Sequence, residues 1–159
     1  MKKINIMNIQ IRQANTKDIE KIQKLNKELF IHDSAFDKTL NIDWPLSEKG
    51  HEYFRDLISK DGNVCFIAED ETNPVGYVAC STKDTCNTDK WLELENMEIV
   101  EEYRKNGIGS KLIDEVKKWA KEKGFQKMYV SAYFGNTNAI SFYKKNGFSE
   151  YDLGLSMTL

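Results

Sequence analysis

A strand-like stretch, Leu94-Glu95-Asn96-Met97-Glu98-Ile99, leads through Val100-Glu101-Glu102-Tyr103 into Arg104-Lys105-Asn106-Gly107-Ile108-Gly109, and an amphipathic helix follows at once. No other feature limits the chain so tightly. A strand, a glycine turn and a helix in immediate succession belong to folds in which helices pack back onto a sheet. The same junction suits an anion. The first backbone N–H groups of a helix lack internal partners and carry the positive end of its dipole. Glycines keep side chains out of the way of a phosphate approaching them.

The spacing excludes two common phosphate sites. A dinucleotide fingerprint needs a third glycine where Leu112 stands, and Gly109-Ser110-Lys111 inverts the order of a P-loop. What remains is Arg-x-x-Gly-x-Gly, with Arg104 and Lys105 as cations. The plain alternative is a tight turn whose glycines serve only a left-handed backbone.

A second block lies some 35 residues further on: Asn136-Thr137-Asn138-Ala139-Ile140-Ser141-Phe142-Tyr143-Lys144-Lys145-Asn146-Gly147-Phe148. Taken together, the two blocks resemble the GCN5-related N-acetyltransferase (GNAT) family. The first looks like its acetyl-CoA pyrophosphate motif, the second like its Asn-x-x-Ala-x-x-x-Tyr…Gly-Phe motif. The joint match is far more specific than either part. It covers about a third of the chain directly, and the order of the remaining elements agrees with it. The resemblance implies a GNAT-type α/β fold: a mixed, mostly antiparallel sheet of six to seven strands flanked by about four helices. It also implies acetyl-CoA as cosubstrate, and it says little about the acceptor.

Length and composition set the outer bounds. The 159 residues fit one domain, residues 1–159, that can bury a real core. A net charge of −2, with acids and lysines intermixed, gives no electrostatic reason to expect nucleic acid or a membrane surface as partner. No apolar run approaches a membrane span, and the N-terminus lacks a signal-peptide core. Cys65, Cys80 and Cys86 lack metal-site spacing, and two histidines make a histidine-rich metal site improbable, so no metal is expected. The expected compartment is the reducing cytoplasm. A homodimer is left open.

Along the chain, Ile9-Gln10-Ile11-Arg12-Gln13 alternates as a first strand. Asn15 or Thr16 can cap a helix to about Phe30, with Ile19, Ile22, Leu25, Asn26 and Leu29 on one stripe. Asp43-Trp44-Pro45 interrupts helical pattern, and Ser47 caps a second helix to about Ser59. Val64 to Ala68 and Val75 to Cys80 form a hairpin across Asp70–Pro74. In the strand Trp91 to Val100 the apolar phase switches near Asn96, which implies either two covered faces or a bulge. Gly107 to Lys123 is the clearest helix, with Ile108, Leu112, Ile113, Val116, Trp119 and Ala120 as its buried stripe. Met128 to Ala132 is a strand, and a short helix runs from Asn136 or Thr137 to Asn146-Gly147. Tyr151, Leu153, Leu155, Met157 and Leu159 alternate as a last strand.

Moving an acetyl group from a thioester to an amine requires the thioester to be held, the amine to lose a proton and the thiolate to leave. Holding falls to the backbone N–H groups of Asn106, Gly107, Ile108, Gly109 and Ser110, with charge from Arg104 and Lys105. By resemblance, the backbone of Met97, Glu98 and Ile99 pairs with the pantetheine arm, and Asn136, with Asn138 as second candidate, hydrogen-bonds the cofactor. A free amine of pKa ~10.4 costs ~4.6 kcal/mol to neutralise at pH 7. A carboxylate, directly or through water, can supply part of that. Glu95 is the first candidate by its place in the family's strand pattern, Glu93 the second and Glu98 the third; the alternative is that all three are solvent-facing strand acids. Tyr143 matches the family's tyrosine, a general acid for the thiolate.

Residues His32 to Lys49 contain Asp33, Asp37, Asp43 and Glu48 with Phe36 and Trp44 nearby. That composition suits a cationic acceptor, a small-molecule amine or a protein amino group. A solvated loop explains it equally well. Two competing readings stand beside an enzyme: a non-catalytic acyl-CoA binding or sensing domain, and an unrelated phosphate-binding module.

Overall fold

In the computed structural model, which describes residues 8–159, five strands form one sheet in the order β1-β2-β3-β4-β5. They are β1 (Ile9–Gln13), β2 (Val64–Asp70), β3 (Asn73–Lys83), β4 (Trp91–Ile99) and β5 (Lys127–Val130). The first three junctions are antiparallel and β4 pairs β5 in parallel. Four helices accompany the sheet among the described residues: α1 (Ile19–Asp33), α2 (Glu48–Ser59), α3 (Ile108–Glu122) and α4 (Thr137–Lys145). The expectation about the extreme N-terminus involves residues 1–7, which lie outside the described residues.

Local chemistry accounts for the helix boundaries. The Asn15 side chain accepts from Lys17 N–H, while Asp18 accepts from Asn15 N–H at 2.9 Å, a reciprocal cap over the turn that feeds α1. Ser47 Oγ accepts from Gly50 N–H at 3.1 Å and starts α2. Gly107, at φ +80°, supplies the left-handed residue immediately before α3.

Two cores lie on opposite faces of the sheet. On one face α3 inserts Ile108, Leu112, Ile113, Val116 and Ala120 among Val64, Val78, Leu92 and Leu94. On the other, α1 and α2 bring Ile19, Ile22, Leu25, Phe54 and Leu57 against Cys65, Ile67, Tyr77 and Ala79. Each buried Leu or Ile adds roughly 1.5–3 kcal/mol, so each helix is fastened by its apolar stripe rather than by intrinsic propensity.

The switch of phase in β4 is a bulge. Ala79 faces Asn96 and Cys80 faces Leu94, so Glu95 is the extra residue. Without it, Leu92 and Leu94 would point away from Met97 and Ile99. With it, all four contribute to the α3-side core, and Asn96 turns toward α1 and α2.

One expectation fails. The sheet has five strands, not six to seven, because the segment expected as the last strand pairs with nothing among the described residues. From Ser149 to Leu159 the chain has neither helix nor strand, and Tyr151, Leu153, Leu155, Met157 and Leu159 are all exposed. Alternation makes a segment fit to be a strand, but a strand also needs an edge to pair with.

Candidate functional site

The parallel β4–β5 pairing runs from Trp91↔Lys127 to Leu94↔Val130 and stops there. Beyond the bulge, β4 continues to Ile99 paired with β3 alone. Its other edge past Leu94 is therefore unpaired by any strand among the described residues, with Ile99 O alone taken up by the Arg104 side chain.

This edge leads to the turn before α3. Lys105, at φ +63°, and Gly107, at φ +80°, are both left-handed, with Asn106 between them. Alternation of this kind curls successive N–H groups toward one concave side. Among the described residues, nothing in the chain accepts from the backbone N–H groups of residues 105–110, and α3 has no side-chain cap. Asn106 Nδ2 donates to the carbonyls of Tyr103 and Arg104, at 3.2 and 3.1 Å, and locks the turn. Nothing lies within 4 Å of where a Cβ on Gly107 would stand. The set fits a diphosphate: oriented donors, a helix dipole and open space.

Gly109 serves a different purpose. A Cβ there would stand 3.0 Å from the Phe142 ring and 3.1 Å from the Met97 methyl group. The missing side chain lets the first turn of α3 settle between β4 and α4, which ties the donor loop to the β4 edge and to the helix bearing Tyr143.

Arg104 turns inward. Its Nε donates to Ile99 O at 2.8 Å, and an Nη donates to Glu98 Oε1 at 2.6 Å. Glu98 is only 5% exposed, and its pKa is raised by burial against the opposing pull of Arg104. Two of the guanidinium nitrogens are thus committed to the loop's own framework, and Glu98 is a paired buried acid. Asn136 also has a structural duty: its Oδ1 accepts from Ala139 N–H at 3.1 Å and caps α4, leaving its Nδ2 as the group that can face a ligand. Asn138 is exposed on the first turn of α4.

The remaining acids divide by surroundings. Glu95, on the bulge and exposed, accepts from Ser81 Oγ at 2.5 Å. Glu93 pairs with Lys83 Nζ at 2.7 Å, and that ammonium lies 4.2 Å from the centre of the Tyr129 ring. Tyr143 packs between Phe142 and Phe148. Burial raises its pKa, and the nearby Cys80, Asp33 and Glu98 add to the shift. The phenol therefore stays protonated across the neutral range.

A polar chain escaped the sequence reading. Asn96 Nδ2 donates to Tyr53 Oη at 2.7 Å, and Asn26 Nδ2 donates to Asn96 Oδ1 at 3.1 Å and to Tyr77 Oη at 2.7 Å. Burial pushes up the pKa of Tyr53, and the charge of Glu95 adds to it. Tyr53 Oη already accepts from Asn96, so its own proton is free to be donated toward Glu95 or a ligand. The one signal in the sequence was Asn26, a polar residue inside an apolar stripe.

Aromatic faces gather on the same side. Trp44 stacks on Phe30 at 5.9 Å and meets Tyr53 edge-on at 5.5 Å. Phe36 stacks on Tyr133 at 5.9 Å, which carries the segment after α1 across to the loop that starts α4. Asp33 is partly buried there, and burial raises its pKa despite His32 beside it. Asp43 pairs with Lys27 at 2.8 Å.

Comparison with known proteins agrees with this geometry. Residues 21–148 match the Acetyltransferase (GNAT) family, and the chain belongs to that family. It carries an N-acetyltransferase domain, of a kind that uses acetyl-CoA. An uncharacterized N-acetyltransferase of Methanocaldococcus jannaschii is 32% identical over 103 residues, 64% of this chain and 46% of that protein. One of Archaeoglobus fulgidus is 25% identical over 82% of this chain and 84% of its own length. Streptothricin acetyltransferase A of Bacillus subtilis is 28% identical over 57% of this chain and 50% of its own. The chain thus spans about half the length of the first and third of these relatives. Among solved structures, an aminoglycoside acetyltransferase, AAC(6')-Iy, in complex with the bisubstrate analogue CoA-S-monomethyl-acetylneamine, shares the fold. Its TM-score is 0.75 at 22% identity, over 95% of this chain and 97% of that one. A mutant of the BH1408 protein from Bacillus halodurans reaches 0.82 at 15% identity, over 94% of this chain and 99% of that one.

Among the described residues no helix is long and apolar enough to cross a membrane, and no group of three His, Cys, Asp or Glu is arranged to hold a metal ion.

Proposed function

We propose that the chain transfers an acetyl group from acetyl-CoA directly to a primary amine. One observation carries the reading: the unpaired N–H run of residues 105–110 opens onto the unpaired edge of β4, with Glu95 at one end of that edge and Tyr143 on the adjoining helix. Acetyl-CoA supplies the activated thioester. The N–H groups of residues 106–110 hold its diphosphate, Lys105 adds charge at the mouth, and the 97–99 backbone aligns the pantetheine arm. Asn136 Nδ2 is a further donor to the cofactor, with Asn138 the second candidate.

The amine nitrogen attacks the thioester carbonyl, a C–N bond forms and the C–S bond breaks. The ammonium proton passes to Glu95, directly or through water; Ser81 orients this carboxylate. Glu93, in its ion pair with Lys83, is the second choice, and Glu98, tied to Arg104, the third. Tyr143 donates to the departing sulfur. A phenol with a raised pKa gives up its proton reluctantly to a thiolate of ordinary pKa ~8.5, so its contribution is a hydrogen bond that strengthens as charge builds on sulfur.

The acceptor is read as a cationic small-molecule amine, with a protein amino group as the other candidate. Support comes from the aromatic faces of Trp44, Tyr53 and Phe36 beside Asp33 and Glu95, a combination that attracts cations. Several structural neighbours are named as aminoglycoside acetyltransferases. A reducing cytoplasm remains the expected compartment.

The test is thiol release from acetyl-CoA over a panel of polyamines, aminoglycosides and peptide amines. Tyr143→Phe is expected to lower kcat by on the order of a hundredfold while acetyl-CoA still raises the melting temperature as in the wild type. Wild-type turnover in that variant overturns the role of Tyr143. An acetyl-CoA response without thiol release on any amine favours the sensing domain instead.

A further inference from the structure

Asn26 sits on α1 in the stripe that carries Ile22 and Leu25, and none of its surface is exposed. Its Oδ1 accepts from no donor among the described residues. Burying a polar atom without a partner is unfavourable, and a leucine would fill the same stripe without stranding one. Packing therefore does not account for the asparagine. Its amino group does. One hydrogen goes to Tyr77 Oη at 2.7 Å and the other to Asn96 Oδ1 at 3.1 Å. Tyr77 is itself fully buried, so the first bond anchors Asn26 in the core and the second reaches the bulge of β4.

These bonds have a direction. An amide nitrogen only donates, an amide oxygen only accepts, and a phenol has one proton. With Asn96 Oδ1 taken by Asn26, the Asn96 amino group faces α2 and donates to Tyr53 Oη at 2.7 Å. The Tyr53 oxygen is thereby the acceptor, and its proton points onward, away from Asn96. If Asn26 turned over alone, it would set oxygen against oxygen; if Asn96 did, amino group would meet amino group. Among the described residues Asn26 is the one donor to Asn96 Oδ1, so it fixes the sense of the whole chain. Glu95 lies at the far end. Its charge acts on the Tyr53 phenol, and Ser81 Oγ donates to its Oε1. As the extra residue of the bulge, Glu95 has no partner across the ladder. The pleat does not dictate where its side chain points, so hydrogen bonds must.

We propose, on the reading of Glu95 as the group that takes the amine's proton, that Asn26 is a positioning residue: through Asn96 it turns the Tyr53 proton toward Glu95 and so holds that carboxylate ready for the incoming ammonium. Ser81 from β3 and Tyr53 from α2 then share the carboxylate. An ammonium binds better to a carboxylate already fixed, because less side-chain freedom is lost on binding. Affinity for the acceptor is thus set in part by a residue of α1 that never touches it. None of the bonds in this chain reaches the donor loop at residues 105–110, so the hold on acetyl-CoA is independent of it.

Steady-state kinetics with the amine and acetyl-CoA varied in turn supply the test. Asn26→Leu is expected to raise the amine KM about fivefold, as Tyr53→Phe does, and to leave the KM of acetyl-CoA unchanged. A merely structural role would loosen the fold and move both constants. In the double variant, Asn26→Leu with Tyr53→Phe, the amine KM is expected to rise no further than in Tyr53→Phe alone, because both changes cut the same link. A wild-type amine KM in Asn26→Leu overturns the proposal. So do equal rises in both constants, or a double variant in which the two single effects multiply. Asn96→Ala cuts the chain at a half-buried position and, with the same outcomes, replaces Asn26→Leu if that variant fails to fold. If the wild type acetylates no amine, the proposed function falls, and a crystal structure of the folded variant decides the positioning role by itself. Glu95 displaced from Ser81 would support it, and Glu95 unmoved on Ser81 would overturn it.

Discussion

The proposed cofactor side and the proposed acceptor side of the site are built from different material. The first is backbone: the free edge of β4, the left-handed pair Lys105 and Gly107, and the open first turn of α3. The second is side chain: Phe30, Trp44, Tyr53 and Phe36 from α1, α2 and the segment between them, closed by Tyr133. Backbone recognition demands particular residues at fixed spacings, because only certain φ values and certain volumes work. Side-chain recognition demands only that suitable faces converge, and many sequences achieve that. A site so divided can hold one cosubstrate while its acceptor varies, and substitutions on the two sides should fail in different ways.

The cofactor side should break hardest at Gly109. Valine there would drive a Cβ to 3.0 Å from Phe142 and 3.1 Å from Met97, and its methyl groups further still. Overpacking of this kind costs about 1–3 kcal/mol and displaces the first turn of α3. Gly109→Val is therefore expected to lower the melting temperature and to abolish the further rise produced by acetyl-CoA. A variant with an unchanged acetyl-CoA response would show that the donor loop does not depend on the junction of α3 with β4 and α4.

The same division governs what the amino-acid sequence alone reveals. The glycine spacing and the Asn136–Tyr143 interval carry backbone and helix-face constraints, so β4, α3 and α4 were legible, as was the irregularity that proves to be the Glu95 bulge. The inward turn of Arg104 was not: a cation beside a glycine loop looks the same whether it faces a phosphate or Glu98. Tyr53 does not stand out in the sequence, because its partners Asn96 and Glu95 lie some forty residues away. The tail was legible as a strand pattern but not in its pairing, since alternation specifies a face and no partner.

On the acceptor side a milder break is expected. Tyr53→Phe deletes the oxygen that accepts from Asn96 at 2.7 Å and leaves that amide donor unpaired. Loss of one such bond is worth ~1 kcal/mol, or roughly fivefold in an equilibrium. The amine KM should rise by about that factor, with the acetyl-CoA thermal response unchanged. Steady-state kinetics with the acceptor varied provide the check. An equal weakening of acetyl-CoA binding would erase the distinction between the two sides.

The smallest effect belongs to the seam. Glu98 stands where the two sides meet, bonded to Arg104 of the donor loop and within electrostatic reach of His32 on α1 and Tyr143 on α4. Burial raises its pKa above 4.5, so over the interval from there to its folded value the native state holds a proton that the unfolded chain has released. Its contribution to stability is thus full below 4.5 and declines as pH rises through the folded value, opposite in sign to that of a carboxylate held ionised by a partner. Glu98→Gln removes the titration. The difference in melting temperature between wild type and variant should therefore shift steadily against the wild type as pH rises from 4.5, most visibly without acetyl-CoA. A difference that shifts the other way would mean that Arg104 outweighs burial, and the seam would then be an ordinary ion pair.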